Sequence, residues 1–134
     1  KYIKDKYSKL VKNKKIVFWG FEKDISGLYT MCNAYVNPNR TGGGASIAYA
    51  MHMGLPILMN NYPSDALPYV GIENTTENYS GMAEKLEKFV NDDFYYQQWK
   101  EKTLQRANAY STAHAISQYI DGIEIMKKEL LDMQ

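Results

Sequence analysis

The chain has 134 residues with 16 basic and 15 acidic side chains, and 45% of its residues are hydrophobic. This size and composition are typical of one globular domain and exclude a disordered or fibrous chain. The net charge of +1 gives little attraction for phosphate backbones, so nucleic acid is not expected as a partner. A single cysteine, Cys32, and two histidines leave no cluster with metal-ligand spacing, so no metal is expected and a reducing, cytoplasmic setting is indicated.

The first 15 residues carry seven lysines and one aspartate. Ile3, Tyr7, Leu10 and Val11 repeat at helical spacing, which predicts a helix with an apolar stripe and with lysines on its solvated side. Concentrated positive charge also attracts anionic surfaces, so peripheral contact with the inner face of a membrane stays open beside the interpretation as a solvated helix.

The following elements alternate between strand and helix patterns. Short β-rich runs predict strands at residues 15–19, 34–37 and 56–59, with a short fourth strand at 69–70. Helix-favouring residues predict helices at 24–31 and 45–53. This alternation predicts right-handed βαβ crossovers, so the expected fold class is α/β, a Rossmann-like parallel sheet that helices cover on both faces.

The C-terminal section is expected to be helical. Its predicted helices cover residues 77–90 and 94–109 and begin again near residue 112. Asn91-Asp92-Asp93 separates the first two and can cap the second. Tyr95, Tyr96 and Trp99 fall at core-like spacing, so we assign them to packing rather than to carbohydrate stacking.

A glycine-rich loop lies between the strand at 34–37 and the helix at 45–53. Ligands of open parallel sheets bind beyond the carboxyl ends of the strands, and three consecutive glycines let a ligand approach the backbone closely. The helix that follows offers the N–H groups of residues 44–46 and the positive end of its dipole, and Arg40 can add a charge-assisted contact. The loop therefore predicts a site for phosphate or another anion. The alternative is a tight turn whose glycines only let the helix pack against the strand.

The sequence also limits which phosphate ligand is expected. The P-loop pattern of nucleotide triphosphatases is absent. The dinucleotide fingerprint is only partly met, because Ile47 stands at its third glycine position and Asn60-Asn61 stands where an acidic residue is expected, with Asp65 coming late. An NAD-type nucleotide-binding module is therefore kept as an alternative. Asn60, Ser64 and Asp65 follow the strand at 56–59 and can face the same crevice, although a polar turn describes them better.

Residues 34–57 resemble the C-terminal, nucleotide-sugar-binding domain of GT-B glycosyltransferases of group 1 (GT4-like). In that family a strand ends in a proline, here Pro38, and a glycine-rich loop opens a helix that reads "EAM…G.P", here Tyr49-Ala50-Met51 and Gly54-Leu55-Pro56. The run Val17-Phe18-Trp19-Gly20-Phe21 is similar to the family's "V.F.G" strand. The resemblance extends over about residues 14–110.

The resemblance implies transfer of a sugar from a nucleotide-diphosphate sugar to a hydroxyl acceptor, in polysaccharide or glycoconjugate biosynthesis, without a metal and with retention of configuration. Oriented N–H groups and Arg40 would stabilise the charge on the leaving diphosphate. Phe21 and Glu22 are candidates for the rim that holds the base and ribose, by analogy of position. The donor- and phosphate-binding residues expected from the loop and the resemblance are Arg40, Thr41, Gly42, Gly43, Gly44, Ala45, Ser46 and Tyr49.

The chain departs from the family at two positions. The family often carries two glutamates in an E-x7-E arrangement, and Thr41 and Tyr49 stand at those positions here. Both hydroxyls can hydrogen-bond a sugar, but neither gives the charge-assisted bond of a carboxylate, which contributes about 1.5–3 kcal/mol. Either the chain is a variant with its own donor geometry or it is a non-catalytic relative, and no catalytic residue is assigned.

The family's donor domain is one half of a larger two-domain enzyme. Residues 1–134 are therefore expected to be a single donor-binding domain, with the family's first strand and its acceptor-binding N-terminal domain outside this sequence. That missing domain would bring the acceptor, a glycan, a lipid or a protein. The isolated chain is not expected to catalyse transfer.

Overall fold

The computed structural model describes residues 2–132 and contains a two-stranded parallel sheet surrounded mainly by helices. Strand β1 is Tyr35–Asn37 and strand β2 is Ile57–Met59. Tyr35 pairs with Ile57, and Asn37 pairs with Met59. The helices are α1 (Tyr2–Lys6), α2 (Ser8–Lys12), α3 (Ile25–Thr30), α4 (Gly44–His52), α5 (Leu67–Val70), α6 (Tyr79–Asn91), α7 (Asp93–Asn108) and α8 (Thr112–Asp132), with a 3₁₀ turn at Ile72–Asn74. The α/β class is confirmed.

Strand β2 is the centre of the core, because its side chains are buried on both faces. Ile57 and Met59 belong to one apolar cluster with Ile47 and Met51 of α4. Leu58 belongs to a second cluster with Met82 and Phe89 of α6, against which Tyr95, Tyr96 and Trp99 pack. The prediction that helices cover both faces is therefore confirmed at β2, and so is the packing role of the three aromatic residues.

The connection from β1 to β2 runs through α4, as the sequence predicts. Helix α3 is confirmed as well, and the Asp24 side chain caps it by accepting a hydrogen bond from the Gly27 N–H at 2.9 Å. The break predicted at residues 91–93 is present but consists of Asp92 alone, whose side chain caps α7 by accepting a hydrogen bond from the Tyr95 N–H at 2.9 Å.

The predicted strand at residues 15–19 is wrong. The segment between α2 and α3 has no strand, and Val17, Phe18 and Trp19 are exposed. A strand forms only when a neighbouring strand pairs its N–H and C=O groups, and β1 pairs only with β2 in the part of the chain that the structure describes. Phe18 instead lies beneath the Lys4 ammonium, 4.8 Å from Nζ to the ring centre.

The predicted short strand at residues 69–70 is also wrong, since these residues end α5. Pro68 lies in the first turn of this helix, where its fixed φ favours helical backbone and its missing N–H costs nothing. The predicted N-terminal helix is interrupted at Tyr7 and forms α1 and α2, and Tyr7 and Leu10 of its stripe are exposed.

Candidate functional site

The candidate site is the loop that joins β1 to α4. Gly43 precedes α4 with a φ of +114°, a left-handed conformation that favours glycine. A Cβ on Gly44 would lie 2.7 Å from the backbone oxygen of Asp65, so this position has no room for a side chain. A Cβ on Gly42 would meet only the end of the Arg40 side chain, at 3.9 Å. The fold therefore requires glycine at positions 43 and 44, as the tight-turn interpretation predicts. It does not require glycine at position 42.

The N-terminus of α4 is partly occupied. The Gly44 N–H donates to Asp65 Oδ1 at 3.0 Å, so the expectation that this N–H is free is wrong. Ala45 and Ser46 are exposed, and within residues 2–132 no acceptor contacts their N–H groups. The helix start thus keeps two free donors beside a carboxylate.

Arg40 brings the positive charge to the same place. Its guanidinium lies against Gly43, with Nε 3.5 Å and Cζ 3.6 Å from the point where a Cβ of that glycine would stand. No acidic side chain among the described residues forms an ion pair with Arg40. An exposed, unpaired guanidinium next to free helix N–H groups is suited to bind an anion.

Thr41 and Tyr49, which replace the family's glutamates, have different surroundings. The Thr41 carbonyl accepts the Asp65 N–H at 3.1 Å. Tyr49 Oη lies 2.6 Å from Ser26 Oγ, and its ring packs on Tyr29 with the ring centres 5.8 Å apart. Tyr49 therefore holds α3 against α4, whichever ligand contact it also makes.

An open groove runs beside the free N–H groups. Ile25 and Tyr29 of α3 and Ala45, Ser46 and Tyr49 of α4 line it. The groove combines apolar and aromatic walls with peptide donors at one end. Apolar and aromatic walls with a few polar groups are typical of sites that bind small molecules.

Phe21 and Glu22 lie in the irregular segment before α3. Phe21 is 89% exposed. Glu22 accepts hydrogen bonds from Trp19 Nε1 and from the Asp24 N–H, both at 2.9 Å, and these bonds lower the pKa of its carboxyl group. The hydrogen bonds of Glu22 stay within its own segment and do not link it to the glycine loop, so the role of both residues remains a prediction.

Two polar residues of the site were missed by sequence reasoning or given little weight there. Asn37 is only 1% exposed, and neither its Oδ1 nor its Nδ2 has a hydrogen-bond partner among the described residues. The buried Ser64 Oγ is likewise unpartnered in that part of the chain. Leaving such a group unpaired costs about 1–3 kcal/mol, so each calls for an explanation. For Asn37, the available signal was an amide at the buried end of a strand, directly before Pro38.

The described residues contain neither a metal-ligand cluster nor a membrane-crossing helix. In residues 2–132, no three His, Cys, Asp or Glu side chains come together as ligands. Among the helices of the same residues, none has the length and apolar character needed to cross a bilayer.

Comparison with known proteins does not assign the chain to a class. No protein-family model matches it, and neither a curated protein nor a solved structure matches it.

Proposed function

We propose that this chain is the donor-binding domain of a glycosyltransferase and that the start of α4 holds the diphosphate of a nucleotide sugar. The observation that carries the proposal is that α4 begins with two free N–H groups, at Ala45 and Ser46, and that the unpaired guanidinium of Arg40 lies against Gly43, the residue before this helix. All three donors lie beyond the carboxyl end of β1, where parallel sheets bind their ligands.

The proposed fold is the Rossmann-like half of a GT-B enzyme. The β1–α4–β2 unit, the cover of helices on both faces of β2 and the sequence resemblance of residues 34–57 support it. In the proposed reaction the bond between the anomeric carbon and the phosphate oxygen breaks, and its electron pair leaves with the nucleoside diphosphate. The carbon bonds to the acceptor oxygen, whose proton passes to the leaving diphosphate or to water. The negative charge that develops on the diphosphate would then face the α4 dipole and Arg40.

A second candidate is a non-catalytic relative that binds the nucleotide only. Tyr49, at the position of the second family glutamate, uses its hydroxyl to contact Ser26. The carboxylate of Asp65 at the Gly44 N–H also places a negative charge where the diphosphate would bind. The two candidates share the diphosphate site and differ in whether a larger protein that contains this domain transfers sugar.

Titration of the protein with uridine diphosphate, followed by amide NMR, tests the shared site. We expect shifts concentrated in residues 42–46, and we expect Arg40→Gln to weaken binding at least tenfold because a charge-assisted contact is lost. Lys9→Gln removes the same charge from an exposed position of α2 and should change the affinity less than twofold.

The absence of shifts in residues 42–46 at millimolar ligand would contradict the proposal. Equal effects of Arg40→Gln and Lys9→Gln would show a general charge effect instead of a site. NAD binding that is tighter than binding of uridine diphosphate would favour the NAD-type module. Sugar transfer by a protein that contains this domain, slowed by Arg40→Gln, would separate the enzyme from the non-catalytic relative.

A further inference from the structure

The carboxamide of Asn37 is a buried polar group without a function inside the folded chain. It is 1% exposed, and both its donor and its acceptor lack partners among residues 2–132. The group can therefore still form one bond as a donor and one as an acceptor.

The carboxamide faces the glycine loop. Asn37 Oδ1 lies 3.2 Å from the point where a Cβ of Gly43 would stand, and the Arg40 Nε lies 3.5 Å from the same point. The absence of a side chain at Gly43 thus lets both the carboxamide and the guanidinium lie close to the backbone of this residue. Any larger residue at position 43 would press against the carboxamide, in addition to being strained by the positive φ.

We propose that Asn37 recognises a hydroxyl group of the ligand, next to the phosphate that Arg40 binds. This inference rests on the proposed diphosphate site and adds to it. Ionised phosphate oxygens only accept hydrogen bonds, so they cannot bond to the Asn37 oxygen. A hydroxyl both donates and accepts, so a ligand with a hydroxyl near its phosphate can bond to the oxygen or to the nitrogen of the carboxamide.

The proposal distinguishes two classes of ligand for the loop. Inorganic phosphate and pyrophosphate would use Arg40 and the free N–H groups of α4 and leave Asn37 unpaired. A sugar phosphate would use all three. Because Asn37 is buried, the ligand must displace part of the loop at Gly43 to reach it, and the energy of the new hydrogen bonds favours the ligand that carries the hydroxyl.

The test compares three probes: pyrophosphate, uridine diphosphate and UDP-glucose. Asn37→Leu keeps the number and branching of side-chain heavy atoms and removes the hydrogen-bonding capacity. We expect this variant to bind the hydroxyl-bearing probes about tenfold more weakly and pyrophosphate within twofold of the wild type. Asn91→Leu, at the exposed end of α6, is the matched control and should leave all three affinities unchanged.

The pattern of losses identifies the hydroxyl. A loss with both nucleotides would assign it to the ribose, and a loss with UDP-glucose alone would assign it to the transferred sugar. Asn37→Ala repeats the measurement without added volume, in case leucine disturbs the loop.

Two results would overturn the inference while the diphosphate site stands. One is an unchanged affinity for both nucleotides in the Asn37 variants, and the other is an equal loss for all three probes, which indicates a structural role. If the wild-type protein binds none of the probes, the proposed function fails and this inference fails with it.

Discussion

The carboxyl ends of the two strands offer a direct comparison, because each has a buried asparagine. Asn60, directly after β2, is 3% exposed; its Nδ2 donates to Asn39 Oδ1 and its Oδ1 accepts from Thr76 Oγ1, both at 2.9 Å. Asn37, the last residue of β1, is 1% exposed, and its carboxamide has no hydrogen-bond partner among the described residues. The asparagine at the end of β2 therefore has its hydrogen bonds satisfied within the fold. The asparagine at the end of β1 keeps unsatisfied polar atoms, which is typical of binding sites.

The largest expected effect on stability comes from substitutions of the glycines that follow β1. Gly44→Ala would place a Cβ 2.7 Å from the Asp65 carbonyl oxygen and 3.1 Å from the Tyr69 ring, so we expect it to destabilise the fold by about 3 kcal/mol. Gly42→Ala meets no close neighbour and should change stability by less than about 0.5 kcal/mol. Urea unfolding of both variants measures the difference. Equal costs would mean that the loop is not packed as described.

The two asparagines themselves give the next largest difference. Asn60→Leu breaks two hydrogen bonds of a buried side chain, those with Asn39 and Thr76, so we expect a loss of about 2 kcal/mol in the free energy of unfolding. Asn37→Leu breaks no side-chain hydrogen bond and removes a buried, unpaired polar group, so it should leave the free energy of unfolding unchanged or raise it by about 1 kcal/mol. A loss for Asn37→Leu as large as that for Asn60→Leu would remove the distinction between the two strand ends.

A third buried polar side chain, Lys85 of α6, lies in the helix that packs against Leu58 of β2. Its side chain is buried and donates to the Asn74 carbonyl at 2.9 Å, and its Nζ lies 3.4 Å from the centre of the Trp99 ring. Burial, and to a lesser extent repulsion by Lys102, lowers its pKa from 10.5 to about 8.

The native state thus releases the Lys85 proton at a lower pH than the unfolded chain does. Between about pH 8 and 10.5 the unfolded state binds more protons, so stability should rise with pH across this window. We expect the wild type to gain about 2 kcal/mol from pH 7.5 to 9.5 relative to Lys85→Met. Urea unfolding at both pH values measures this, with the exposed Lys88→Met as control. A parallel pH dependence in wild type and Lys85→Met would contradict the assignment.

The smallest expected effect concerns Asp65, whose carboxylate contacts the start of α4. Asp65→Asn keeps a hydrogen-bond acceptor for the Gly44 N–H but removes the charge at the helix start, which should cost about 0.5 kcal/mol of stability. The same change removes repulsion of a diphosphate and should raise the affinity for uridine diphosphate several-fold. Asp92→Asn, the corresponding change at the cap of α7, should affect stability alone. Weaker nucleotide binding by Asp65→Asn would show that the carboxylate belongs to the site.

The elements that the sequence predicted well are those that local signals determine. Pro38 ends β1, the alanine- and methionine-rich run forms α4, and Asp24 and Asp92 cap the helices that follow them. The strand predicted at 15–19 has the right residue types but no neighbour to pair with, which is a property of the whole sheet and not of that segment.

The candidate site was predicted only in part for the same reason. The free donors at Ala45 and Ser46 follow from the loop and the helix start, both of which are local. The occupation of the Gly44 N–H by Asp65 joins residues 21 positions apart, and no spacing rule indicates it. The unpartnered state of Asn37 depends on the packing of every segment around it, so it is visible only in three dimensions.

Three hydrogen bonds join the segment that follows β2 to the glycine loop. They connect Asn60 with Asn39, the Asp65 N–H with the Thr41 carbonyl, and the Gly44 N–H with the Asp65 carboxylate. The two segments are therefore mechanically coupled, and a molecule that pushes the glycines aside must also pull on residues 60–65. Amide hydrogen exchange should then change in a stretch that the molecule itself never contacts.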